Sequence, residues 1–209
     1  MPANVICISR AMYTGAETIA SEVAQDLGFR YVDEEIVERA AQMRNLTPTE
    51  VASAERRKSM LKQAVTDIGD SAADIVAYFR NNKEATRPSD EMRNIIRQAI
   101  VETAAEGNVV IVAHAASYAL ARSKNVLRVL ITGSEFGRVN KWATTSGGRS
   151  PREAAEAIRS SDAARASYLK RFYDVEHELS EHYDITLSMD ALEPPAIREL
   201  IVEAAKRIT

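Results

Sequence analysis

Cysteine is almost absent. Cys7 is the only one in 209 residues, so neither an intrachain disulfide nor a cysteine-based metal cluster can form, and a reducing compartment fits. A lone thiol inside an apolar run reads as structural. An excess of one charge is also missing: 27 Lys and Arg stand against 30 Asp and Glu, a formal net charge of −3. No global basic surplus favours nucleic acid or an anionic membrane as partner. Long hydrophobic runs are absent too. The longest apolar stretch, from Val109 to Ala121, is broken by His114 and Ser117 and falls short of the about 20 residues that span a bilayer. Met1-Pro2-Ala3-Asn4 offers no basic flank ahead of an apolar signal core, which predicts a cytoplasmic protein without a membrane segment. Of the three histidines, His177 and His182 are five apart, off the i,i+4 spacing of a helical zinc pair, and no metal site is assigned.

What is present is a chain with 45% hydrophobic residues, enough to bury one sizeable core, so residues 1–209 are read as a single domain. Val5-Ile6-Cys7-Ile8 is a short β-branched run suited to a strand buried on both faces. Ile19, Val23 and Leu27 recur at helical spacing behind it and stop at Gly28, giving strand, turn, helix. Phe29 to Val32 reads as a second strand. Asp33 follows it, either as the N-cap of a helix carrying Ile36, Val37, Ala40 and Met43, or as a carboxylate that orients an acceptor or a metal-bound water. From about 47 to 90 the sequence turns charged and helix-prone, a helical insertion that would cover a substrate crevice, build a homodimer interface or complete the core. A stripe of Met92, Ile95, Ile96, Ala99, Ile100 and Thr103 then leads to the strands Val109–Val112 and Val126–Ile131. Ser150-Pro151-Arg152-Glu153 combines an N-cap serine, proline at the first helical position and glutamate at the third, so a long helix starts there and runs to Phe172. A last strand covers Ile185–Leu187. Pro194-Pro195 opens a terminal helix with Ile197, Leu200, Ile201, Ala204 and Ile208 inward. Short strands alternating with helices predict an α/β fold, a five-stranded parallel sheet flanked by helices. Ligands of such sheets bind beyond the carboxyl ends of the strands.

The turn from Ser9 to Thr18 joins the first strand to a helix N-terminus, where free N–H groups and the helix dipole favour an anion. Its composition departs from the phosphate-loop pattern G-x-x-x-x-G-K-[ST]: only Gly15 matches, with Arg10 at the first glycine position and Ala16 at the lysine position. Between Arg138 and Arg171, eight Lys and Arg face three Asp and Glu. This local excess suits a lid over a polyphosphate, hinged at Gly147-Gly148. It also suits a solvated helix with pairs such as Arg152–Glu156 and Arg159–Asp162. Trp142, Tyr168 and Tyr173 nearby read as packing residues rather than base-stacking ones.

Several segments in order resemble one family. Ile6-Cys7-Ile8-Ser9-Arg10, Thr14-Gly15, Ile19-Ala20 and Tyr31-Val32-Asp33 are similar to the opening of the cytidylate kinase-like family. Val109 to Tyr118, Asn125 to Val129, the set Asp162, Arg165 and Tyr168, and Tyr183-Asp184 continue the likeness. The resemblance implies a phosphate-loop nucleoside monophosphate kinase fold with a degenerate loop, and a lid over about 138–172. It also implies ATP as phosphoryl donor with Mg²⁺, and a nucleoside monophosphate, typically a cytidine nucleotide, as acceptor. On this chain Ser9, Arg10, Thr14, Gly15 and Thr18 would cradle the donor, Asp33 and His114 would face the acceptor, and Arg159 and Arg165 would clamp the moving group. Tyr13, Ala113, His114 and Ala115 replace family glycines and an arginine, and Ala16 occupies the lysine position of the phosphate-loop pattern, a lysine that the resembled subfamily often lacks as well. A catalytically silent relative that binds a nucleotide or a protein partner is therefore the competing expectation, as is a structural role for His114.

Overall fold

Strands this short and this apolar are stable only when both faces are covered, and parallel neighbours need crossover helices to connect them. In the computed structural model, which describes residues 2–44, 47–49, 51, 88–121, 123–145 and 150–208, the strands are β1 (Val5–Arg10), β2 (Arg30–Val32), β3 (Val109–Val112), β4 (Val126–Thr132) and β5 (Ile185–Ser188). They form one sheet in the order β2-β3-β1-β4-β5 with every pair parallel. Ile8 of β1 lies level with Val112 of β3 and Val129 of β4, so the strand ends converge on one edge.

The helices are α1 (Ala16–Leu27), α2 (Glu35–Met43), α3 (Pro88–Ala105), α4 (Ala116–Ala119), α5 (Glu135–Thr145), α6 (Pro151–Tyr173) and α7 (Pro194–Arg207). The strand period of two splits the core. Ile6, Ile8, Val110, Val112, Val129 and Ile131 meet Ile19 and Val23 of α1 and Ile197 and Ile201 of α7. Val5, Cys7, Val109 and Ile111 meet Ile36 of α2, Ile95, Ile96 and Ile100 of α3, and Ala116 of α4. Trimming a sealed side chain such as Ile111 to alanine at this centre costs about 2–5 kcal/mol.

Local chemistry sets the helix ends. Gly28 takes the left-handed conformation (φ 66°) after α1, and the Phe29 N–H reaches back to the Ala24 carbonyl at 2.8 Å, closing the helix as its glycine predicts. The capping box of α6 is present: the Glu153 N–H donates to Ser150 Oγ and the Ser150 N–H donates to Glu153 Oε2 at 2.8 Å. Three expectations need correction. Asp33 does not cap α2; Glu34 holds that position without a side-chain hydrogen bond. Leu200 is 44% exposed while Ala205 is buried, because the inward stripe of α7 runs through Ile197, Ile201 and Ala205. Arg159 does not pair with Asp162, since each finds a partner on α5. The expected insertion at 47–90 lies outside the described residues apart from a few at its ends, and so do Gly147 and Gly148.

Candidate nucleotide site

At the carboxyl end of β1 the chain turns sharply into α1. Tyr13 (φ 64°) and Gly15 (φ 71°) are both left-handed, and Gly15 is the N-cap of α1. Glycine adopts that conformation without steric cost. A Cβ on Gly15 would also lie 3.0 Å from Nζ of Lys141, so a side chain there would displace that ammonium. Thr14 Oγ1 donates to the Ala11 carbonyl at 2.8 Å and fixes the turn, and Lys141 Nζ donates to the Thr14 carbonyl at 2.9 Å. Burial lowers the Lys141 pKa, with Glu193 acting in the opposite direction. The Tyr13 ring turns to Trp142, also from α5, at 5.9 Å between centroids. Arg10 pairs with Glu17 at 3.0 Å, while Thr18 is exposed on the first turn of α1.

Beside the turn, the ends of β2 and β3 bring Asp33 and His114 together, with His114 Nε2 3.7 Å from Asp33 Oδ1. That is ion-pair range, longer than a direct hydrogen bond. The Tyr31 hydroxyl donates to Asp33 Oδ2 at 3.4 Å. Burial works to raise the Asp33 pKa, but His114, Arg10 and Tyr31 outweigh it and hold the carboxyl below its usual range. Burial and the adjacent Asp33 push the Tyr31 phenol up to about 12. His114 is aimed by an unusual backbone: Ala113, His114 and Ala115 are all left-handed, with φ of 65°, 50° and 52°. Strain of this kind costs about 1–2 kcal/mol per non-glycine residue and persists where surrounding contacts demand it.

Ser9 belongs to a different neighbourhood. Its buried hydroxyl lies 3.4 Å from that of Ser117 and beside Tyr183. There Arg165 Nε donates to Glu178 Oε2 at 2.7 Å and Arg165 Nη2 donates to the Tyr183 hydroxyl at 3.3 Å. Burial and Glu178 push the Tyr183 phenol well above its usual value. The Glu178 carboxyl, which burial would raise, is held low by Arg165 and Tyr183. His182 also has a structural place, its Nδ1 3.1 Å from the Tyr118 hydroxyl. On the outer side, Arg159 pairs with Glu135 at 2.6 Å. The structure thus brings Arg10, Thr14, Gly15, Asp33 and His114 to one edge, and holds Ser9, Arg159 and Arg165 in other contacts.

Residues 5–191 match the Cytidylate kinase-like family. The chain belongs to that family. No curated protein matches the sequence. Among solved structures, an uncharacterized protein from Eubacterium ventriosum ATCC 27560 aligns at 15% identity over 96% of this chain and 97% of that one, with a TM-score of 0.66. A gluconokinase from Sinorhizobium meliloti 1021 aligns at 12% identity over 98% and 90%, TM-score 0.50. These likenesses bear on the fold: the all-parallel sheet flanked by helices is that of the phosphate-loop kinases. In this member of the cytidylate kinase-like family the first loop makes its turn with one glycine, Gly15.

A glycine N-cap at a helix N-terminus and the Lys141 ammonium meet at this turn, groups of the kind that hold phosphate. Among the described residues no group of three His, Cys, Asp or Glu is placed to hold a metal ion. Mg²⁺ commonly arrives on nucleotide phosphates and takes only one or two carboxylates from the protein; Asp33 and Glu17 are carboxylates beside this turn. Among the described residues no helix is long and apolar enough to cross a membrane.

Proposed function

We propose that this chain is a kinase that binds ATP at the β1–α1 turn and passes its terminal phosphate to a nucleoside monophosphate held near Asp33 and His114. The observation that carries the reading is the convergence of the left-handed Gly15 turn and the Asp33–His114 pair on one strand edge, where parallel sheets bind ligands. Phosphoryl transfer asks the protein for alignment and charge neutralisation rather than a covalent nucleophile. A phosphate oxygen of the acceptor forms the new bond to the γ-phosphorus, the bond to the β–γ bridging oxygen breaks, and its electron pair leaves with ADP. Mg²⁺, when bound with the nucleotide, would supply charge neutralisation on the phosphates, with Asp33 the carboxylate nearest the acceptor.

In this chain Arg10, Thr14, Gly15 and Thr18 serve the donor. Asp33, kept ionised, orients His114 and the acceptor. Arg159 reaches the moving group only by leaving Glu135, and Arg165 acts through the Tyr183 and Ser9 contacts that seat α6 on the sheet. Isothermal titration with ATP·Mg²⁺, followed by a transfer screen over the nucleoside monophosphates, tests the reading; no binding and no turnover would sink it. One observation favours a second reading, a catalytically silent nucleotide binder: Arg159 and Arg165 are both engaged by carboxylates. It predicts stabilisation by ATP without product, and any wild-type turnover excludes it.

A further inference from the structure

Ala16, at the position where a phosphate loop carries lysine, is fully buried in the core between β1 and α1. Its methyl group serves packing, so no cation can be delivered to the loop from that position. Another one arrives from α5: Lys141, 125 residues further along, places Nζ on the Thr14 carbonyl and directly over Gly15. The first turn of α1 already presents the positive end of the helix dipole there. An ammonium held against a positive helix end, in a setting that lowers its pKa by burial, is an electrostatic arrangement that a bound anion relieves.

We propose that Lys141 is the phosphate-binding cation of the donor site, taking over from α5 the role that the loop does not fill. The proposal rests on the nucleotide reading above and names the residue that neutralises the donor. Because the charge comes from the helix that follows β4, the donor site is complete only while α5 is docked on the turn. The Tyr13–Trp142 contact and the Lys141–Thr14 hydrogen bond hold it there.

The test is calorimetric titration of wild type, Lys141→Met and Lys141→Arg with ATP·Mg²⁺, inorganic tripolyphosphate and adenosine. Lys141→Met keeps the aliphatic stem and loses the charge; it should weaken ATP and tripolyphosphate at least about tenfold, the worth of one charge-assisted hydrogen bond, and leave adenosine unchanged. Lys141→Arg should restore most of the loss. Lys141→Gln, which keeps a donor for the Thr14 carbonyl without the charge, separates the two roles: it should bind tripolyphosphate as poorly as Lys141→Met while melting like the wild type. Wild-type affinity for tripolyphosphate in Lys141→Met or Lys141→Gln would overturn the proposal and leave the nucleotide site standing. A wild type that binds neither ATP nor tripolyphosphate would overturn both.

Discussion

Arg138 and Asp162 meet as a two-pronged ion pair, Nη1 to Oδ1 at 2.9 Å and Nη2 to Oδ2 at 2.6 Å. Arg138 is nearly buried, only 7% exposed, so the pair ties α6 to α5 from the inside. The parallel fork is a stronger arrangement than a single-pronged surface contact. Asp162→Ala leaves the guanidinium without its carboxylate and is expected to cost about 1–3 kcal/mol, the loss of charge-assisted bonds reduced for the partly exposed partner. Denaturant titration of the variant reads it directly.

Glu178 makes stability depend on pH. Its folded-state pKa lies below the ordinary 4.5 because Arg165 and Tyr183 hold the ionised form against burial. The contribution is therefore complete above about pH 4.5 and disappears as pH falls through the folded value. Glu178→Gln should lower the melting temperature at neutral pH and flatten its decline in acid. An unchanged acid limb would show that other carboxylates set it.

The left-handed run at 113–115 predicts stabilisation by simplification. Ala113→Gly and Ala115→Gly remove a Cβ from a conformation that opposes it, and the relief exceeds the extra entropy of the glycine in the unfolded chain. Each is expected to raise stability by about 0.5–1 kcal/mol, measured by chemical unfolding. A loss of stability in either would mean that the alanine methyl groups pack more tightly than their backbone angles cost.

Asp33→Asn separates acceptor chemistry from donor binding. The variant keeps the shape and loses the charge that faces His114, so turnover with a monophosphate acceptor should fall by about 10²-fold through misalignment, while affinity for metal-free ATP stays near wild type. Steady-state kinetics beside calorimetry makes the distinction, and an equal loss of both would move Asp33 to the donor side.

The layered fold was legible because the runs Val5–Ile8 and Val109–Val112 are unbroken and apolar and helices such as α1 and α3 carry apolar stripes at their own period. The capping box at Ser150 located the start of α6, and Gly28 the end of α1. Side-chain partners were harder to read. Helical spacing favoured Arg159 with Asp162, but Arg138 offers Asp162 a two-pronged bond from the neighbouring helix and takes it. Asp33 read equally as a helix cap and as an acceptor-orienting carboxylate; Glu34 takes the cap position, and His114, distant in sequence, lies against Asp33. Lys141 was counted only as part of a basic stretch, since no loop motif can register a cation 125 positions away. The one available signal was negative, an alanine where a charge belongs.

Cys7 sits in the middle of the central strand, fully buried, its thiol pushed up to about 12 by burial with Arg128 and Asp184 nearby. With no other thiol in the chain, a thiol-selective alkylating or disulfide-exchanging reagent has a single target, and that target is neither accessible nor ionised while β1 stays between β3 and β4. The protein therefore carries its own unfolding clock. The rate at which the native protein consumes such a reagent counts openings of the sheet, and slowing of that rate by added ATP would report nucleotide binding without any added label or engineered probe.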